Sequence, residues 1–183
     1  FRGKIENLSQ CDAEFVAYET FDGKEIPGYI FKPQKKVLGA IIISFYGGLD
    51  TFSSYYAAFC RAGFIVFSPG VRGCDGYGKE WRRLIDGDLG GYEILDLVWA
   101  AKWLEREFDL LPAQIGLEGG SHGGYSVLRG LTMPEKFNGY KSSYPFAFGI
   151  SGMGFADLTD FYLNSSIQDW CIRMLGPYEK NKE

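Results

Sequence analysis

Histidine is nearly absent from this sequence: His122 is the only one in 183 residues. A His-rich metal centre within the chain is thereby excluded. The four cysteines, Cys11, Cys60, Cys74 and Cys171, stand far apart with no Cys-x-x-Cys pair. That spacing argues against a zinc ribbon or a thioredoxin-like site and reads them as ordinary core or surface thiols. No apolar run approaches the roughly 20 residues that span a bilayer, and the Phe1 start shows no basic-then-apolar leader. Basic charge is also short, since 19 Lys and Arg stand against 23 Asp and Glu for a net −4. Such a balance offers no field for phosphate backbones or anionic lipid. Nucleic acid and membrane are therefore not expected partners, no cofactor is called for, and the scattered thiols favour a cytoplasmic setting.

What is present is a chain that is 46% apolar, enough for one domain with a real core. Residues 15–20 and 26–32 are short aromatic and β-branched runs around Asp22-Gly23-Lys24, which reads as an antiparallel hairpin. Residues 37–45 form a near-continuous apolar run, the mark of a strand covered on both faces. Helical spacing over 51–62, stopped at Gly63, is followed by a second buried strand at 64–68. The alternation repeats with a helix over 92–108, a strand at 115–118, a helix over 121–131 ended by Met133-Pro134, and an apolar strand at 147–151. Strand and helix alternating on this scale predict an α/β fold, a mostly parallel sheet with helices on both faces. The tail, 156–183, reads as partly helical, with no final strand.

Gly119-Gly120-Ser121-His122-Gly123 falls between one of those strands and the helix after it. This is the context of a nucleophile elbow, in which a tight turn holds a serine hydroxyl clear of the sheet, as in the α/β-hydrolase fold. Small residues at 119 and 123 let strand and helix approach closely. The helix N-terminus directs backbone N–H groups toward the place where a tetrahedral oxyanion develops. Ser121 is the candidate nucleophile and the His122 amide the expected oxyanion donor. The competing reading is a glycine-rich loop that binds phosphate.

Three segments, Ser44-Phe45-Tyr46-Gly47-Gly48, Arg72-Gly73-Cys74-Asp75-Gly76-Tyr77-Gly78-Lys79-Glu80-Trp81 and Gly119 to Tyr125, resemble in order and separation the catalytic domain of the prolyl oligopeptidase family of serine peptidases. The resemblance runs from about Phe15 to about Tyr162. It implies that the Tyr46 hydroxyl is the second oxyanion donor, and that Met153, Phe155, Phe161 and Tyr162 help line the pocket for the substrate's acyl-side residue. Each of these four can also be read as core. The substrate implied is a peptide or a small acyl compound, with a carboxylesterase-type hydrolase as the alternative. Arg72 can meet a substrate carboxylate or organise its loop, the structural role being favoured, and Asp96 is read as a helix anchor rather than a triad acid.

A serine triad needs an imidazole and a carboxylate, which in α/β-hydrolases follow the serine. No histidine follows His122, whose ring, directly after the nucleophile, is expected to point away from it. Residues 1–183 are therefore read as a single partial catalytic domain without a β-propeller and short of its last strands. A missing C-terminal segment or another chain would complete the sheet. The other explanation is a short paralogue without a complete triad, acting as a non-catalytic binding or assembly module.

Overall fold

The computed structural model describes residues 11–45 and 53–181. Strands β1 (Cys11–Glu19) and β2 (Glu25–Pro33) form the expected antiparallel hairpin. Gly23 turns it with φ +76°, a conformation that L side chains rarely adopt. Strand β3 (Gly39–Ile43) is buried at all five positions. It is shorter than its apolar run, because Leu38 is exposed where the chain enters the sheet.

Helix α1 (Ser54–Ala62) starts where the Ser53 hydroxyl accepts the Tyr55 N–H and stops at Gly63, φ +107°. The part of the expected helix at 51–52 lies outside the described residues. Strand β4 (Phe64–Pro69) and a short helix α2 (Lys79–Arg83) follow. Next come helix α3 (Tyr92–Phe108), strand β5 (Ile115–Gly120) and helix α4 (His122–Leu131). A small hairpin of β6 (Lys136–Phe137) and β7 (Tyr140–Lys141) precedes strand β8 (Gly149–Gly152). The tail forms three helices, α5 (Leu158–Asn164), α6 (Gln168–Leu175) and α7 (Tyr178–Asn181).

The main sheet runs β1-β2-β4-β3-β5-β8, antiparallel through the first three and parallel from β4 onward. Period-2 alternation sends Ala40, Ile42, Ile65, Phe67, Ile115 and Leu117 to the face covered by α3 and α4. Ile41, Ile43 and Val66 go to the opposite face with Cys60 of α1. Strands buried on both sides need apolar residues at every position, which is why these runs do not alternate in sequence. β8 differs: all four of its residues are exposed, and among the described residues it pairs only with β5.

One reading of the cysteines is corrected. Cys11 and Cys60 form a disulfide across 49 residues, with Cα atoms 6.1 Å apart, while Cys74 and Cys171 are buried free thiols. Their spacing gives no sign of it, because the pair meets only when α1 lies over the start of β1. Closing so long a loop removes unfolded-chain entropy, so reduction or a Cys60→Ala substitution is expected to lower the unfolding free energy by about 2–4 kcal/mol. An unchanged urea midpoint after reduction would show that the bridge carries no stability. Among the described residues no helix is long and apolar enough to cross a membrane.

Candidate active site

Ser121 is the N-cap of α4, and its backbone is held at φ +54°, ψ −119°. A serine there is strained by about 1–3 kcal/mol, and such positions persist only where the surroundings over-determine them. They do so here. The Ser121 N–H donates to the Gly152 carbonyl (2.8 Å), and the Ser121 carbonyl accepts the Tyr125 N–H (3.0 Å). Fixed from β8 on one side and by the first turn of α4 on the other, the side chain is left exposed.

The glycines around it are demanded by contact. A Cβ on Gly119 would lie 2.1 Å from Ser44 Oγ and 2.6 Å from the Gly123 carbonyl. One on Gly124 would lie 2.8 Å from the Gly152 carbonyl and from Gly154 Cα. The buried Ser44 hydroxyl donates to the Gly123 carbonyl (2.7 Å), tying the end of β3 to the elbow. Because backbone cannot yield as a side chain can, Gly119→Ala is expected to displace the elbow and slow the reaction of Ser121 with a fluorophosphonate by about 100-fold. A rate unchanged from the parent would show that the turn tolerates a methyl group.

His122 is 1% exposed. Its ring stacks on Phe45 at 3.8 Å and meets the edge of Trp170 at 5.5 Å. Burial pushes its pKa down to about 3, so the ring is a neutral packing element. Its backbone N–H belongs to the first turn of α4, where such groups have no intrahelical acceptor. Tyr46, the other expected donor, lies outside the described residues.

The four expected pocket residues divide. Phe155 stacks on Tyr125 (5.0 Å, 6°) and on Phe161 (3.9 Å, 11°), and Trp170 closes the group edge-on, 6.1 and 6.0 Å from the two phenylalanines. Met153 follows β8 directly, is 89% exposed and carries a positive φ of 52°. Tyr162 turns elsewhere: its ring packs 5.4 Å from Tyr178, and its hydroxyl accepts the Tyr178 N–H. Trp170 has no mark in the sequence, because a tryptophan in an amphipathic tail carries no local sign of which ring it will meet, and Ser44 stands in its motif with no sign of its tie to Gly123. A cavity of about 660 Å³ lies behind this aromatic stack, between the loop at 87–91 and α4, and shares Tyr125 with it but not Ser121.

Arg72 and Asp96 take structural parts. Arg72 Nε and Nη2 donate to the two Asp96 carboxylate oxygens at 2.8 Å each, and its backbone N–H donates to Oδ2 at 3.0 Å. Thr20 Oγ1 adds a fourth donor, and Asp22 at the hairpin turn accepts a further Arg72 bond. Burial raises the Asp96 carboxyl, and these donors and the Arg72 charge oppose the rise. The network joins the hairpin, the loop after β4 and α3.

A strained serine between a strand and a helix, on a mostly parallel sheet covered on both faces, defines an α/β-hydrolase. The chain belongs to the prolyl oligopeptidase family, whose model matches residues 50–183. It is 24% identical to the uncharacterized peptidase YuxL of Bacillus subtilis over 85% of this chain and 25% of that protein. It is 25% identical to the acylamino-acid-releasing enzyme of Rattus norvegicus over 93% of this chain and 23% of the enzyme. A puromycin-hydrolyzing peptidase of Mycobacterium tuberculosis shares the fold, with a TM-score of 0.81 at 20% identity over 98% of this chain and 29% of the other. The chain thus spans about a quarter of the length of the curated relatives it matches.

Proposed function

We propose that Ser121 is the nucleophile of a serine peptidase of the prolyl oligopeptidase type. The observation that carries this is the strained backbone of the exposed Ser121 at the N-cap of α4. Ser121 Oγ attacks the scissile carbonyl as a base takes its proton, and the His122 amide and the Tyr46 hydroxyl donate to the resulting oxyanion. Collapse expels the amine, which takes the proton back, and leaves an acyl ester on Ser121. Water then cleaves that ester to a carboxylic acid and restores the hydroxyl. The stack of Phe155 and Phe161, with the exposed Met153 two residues before Phe155 in the chain, suits an apolar acyl-side residue in the substrate.

The base is not His122, whose ring is buried between Phe45 and Trp170. As the sequence has no second histidine, the imidazole is supplied by polypeptide outside these residues. Two features support such an addition. Among the described residues β8 has an open strand edge. Glu118, paired in register with Ile150, is half-buried on the α1 face of the sheet, near Tyr55 and Tyr56, and burial raises its pKa without an offsetting charge. A covering segment that brings a cation would relieve it. The expectation of a cytoplasmic setting loses its ground, because a disulfide such as Cys11–Cys60 persists in oxidising compartments.

The experiment is fluorophosphonate treatment of the natural full-length protein, followed by peptide mapping. An adduct on the peptide carrying Ser121 is the expected result, and an adduct elsewhere would overturn the assignment. Turnover of a short peptide amide beside a p-nitrophenyl ester separates peptidase from esterase, ester-only activity deciding for the latter.

A further inference from the structure

Glu93 has no part in the chemistry described so far, yet it is a fully buried carboxylate in the first turn of α3. Desolvating such a group is expensive unless its oxygens are satisfied. One oxygen accepts the Gly90 N–H and the other the Gly91 N–H, the latter at 3.0 Å. Both amides precede the helix, so Glu93 folds its own N-terminal corner back onto itself.

That corner bears on α4 at two points one turn apart. Gly90, at φ +83°, lies so close under the Tyr125 hydroxyl that a Cβ would come within 2.0 Å of it. The Gly90 carbonyl accepts Arg129 Nε at 3.1 Å. Tyr125 in turn donates its backbone N–H to the Ser121 carbonyl and stacks its ring on Phe155, the first of the stacked pair Phe155 and Phe161. One residue of α4 therefore touches the corner, the backbone of Ser121 and the aromatic wall.

We propose that Glu93 is a positioning residue for the Ser121 elbow: by holding the Gly90–Gly91 corner it sets Tyr125, and through Tyr125 both the Ser121 backbone and the aromatic wall of the acyl pocket. It touches neither substrate nor nucleophile. The inference rests on the reading of Ser121 as nucleophile, but its geometric part can be tested without it.

The corner also makes the site sensitive to pH. Burial pushes the Glu93 carboxyl up to about 8; the amides of Gly90, Gly91 and Glu93 itself oppose this and the nearby Asp88 carboxyl adds to it. Tyr125, Arg129 and Asp88 are the other polar groups that face this corner. Burial chiefly, with Glu93 contributing against the Arg129 charge, pushes Tyr125 up to about 12, and burial also raises Asp88. Only the ionised Glu93 offers two full acceptors, so the corner is held best above about pH 8. The sign for stability is opposite: a carboxyl raised on folding contributes stability that is full below the unfolded range near 4.5 and is lost as pH rises to about 8.

The test compares the natural full-length protein with its Glu93→Gln and Glu93→Ala variants. Because small displacements of an elbow are costly, Glu93→Ala is expected to slow fluorophosphonate labelling of Ser121 by about tenfold or more, counted on folded protein only. Glu93→Gln keeps one acceptor and should fall between, without the inflection near pH 8. Labelling within about twofold of the parent in both variants from about pH 6 to 9.5 would overturn the proposal, since the expected loss is fivefold larger. Hydrogen exchange supplies the arm that needs no activity: amides at 122–131 should exchange faster in Glu93→Ala while those at 54–62 do not change. Unchanged exchange at 122–131 would also overturn it. A parent that fails to label but shows the exchange difference would count against Ser121 as nucleophile and leave the positioning link standing.

Discussion

Ser121→Ala is expected to abolish fluorophosphonate labelling and to lower kcat by about 10⁴- to 10⁶-fold, with KM nearly unchanged. The substitution removes one oxygen and leaves the rest of the arrangement intact: the His122 amide at the start of α4, the elbow glycines, and the stack of Tyr125, Phe155 and Phe161. Residual turnover measures what oxyanion stabilisation and binding achieve without a nucleophile. The same position separates reactivity from stability. Alanine at φ +54° keeps the strain of serine, whereas Ser121→Gly is equally inactive and should raise the unfolding free energy by about 1 kcal/mol. A glycine variant less stable than alanine would show that the turn is not strained. Measurable labelling of the alanine variant would place the nucleophile elsewhere.

The second large effect falls on Asp96. Its removal leaves the Arg72 guanidinium, 4% exposed, with Asp22 as its one remaining ion-pair partner among the described residues and the Phe21 ring 4.5 Å below. Asp96→Ala is therefore expected to destabilise the protein by about 3–5 kcal/mol, the usual penalty for an orphaned buried charge. Replacing both partners with apolar residues should cost less than that, because the desolvation of each charge disappears with it. Urea denaturation of the single and the double variant reads the difference. An Asp96→Ala midpoint close to the parent's would mean that Asp22 alone holds Arg72.

Much of this was legible in the sequence where a local rule and the tertiary outcome agree. Helix α3 begins and ends at the residues expected, because Gly90-Gly91 precede it and its apolar residues repeat at helical spacing. The elbow was legible because it is local: five consecutive residues between a strand and a helix specify it. Legibility fails where a property depends on a distant neighbour. The run at 147–151 looks like any buried strand, yet β8 at 149–152 is exposed because pairing on one side only is a fact of sheet order. Helix α2 and the β6–β7 hairpin are too short for periodicity to register. Trp170 of α6 meets His122 although the rest of α4, the β6–β7 hairpin, β8 and α5 lie between them in the chain. Glu93 reads as one more acidic residue in the first turn of a helix; only burial shows it to be singular.

The bond between Cys11 and Cys60 makes a closed ring of the chain that contains β2, β3 and the stretch with Tyr46. A protease that nicks this ring once, at any point, releases nothing. The two pieces stay linked through sulfur and migrate as one band until a reductant is added, so a cut molecule can pass for an intact one on a non-reducing gel.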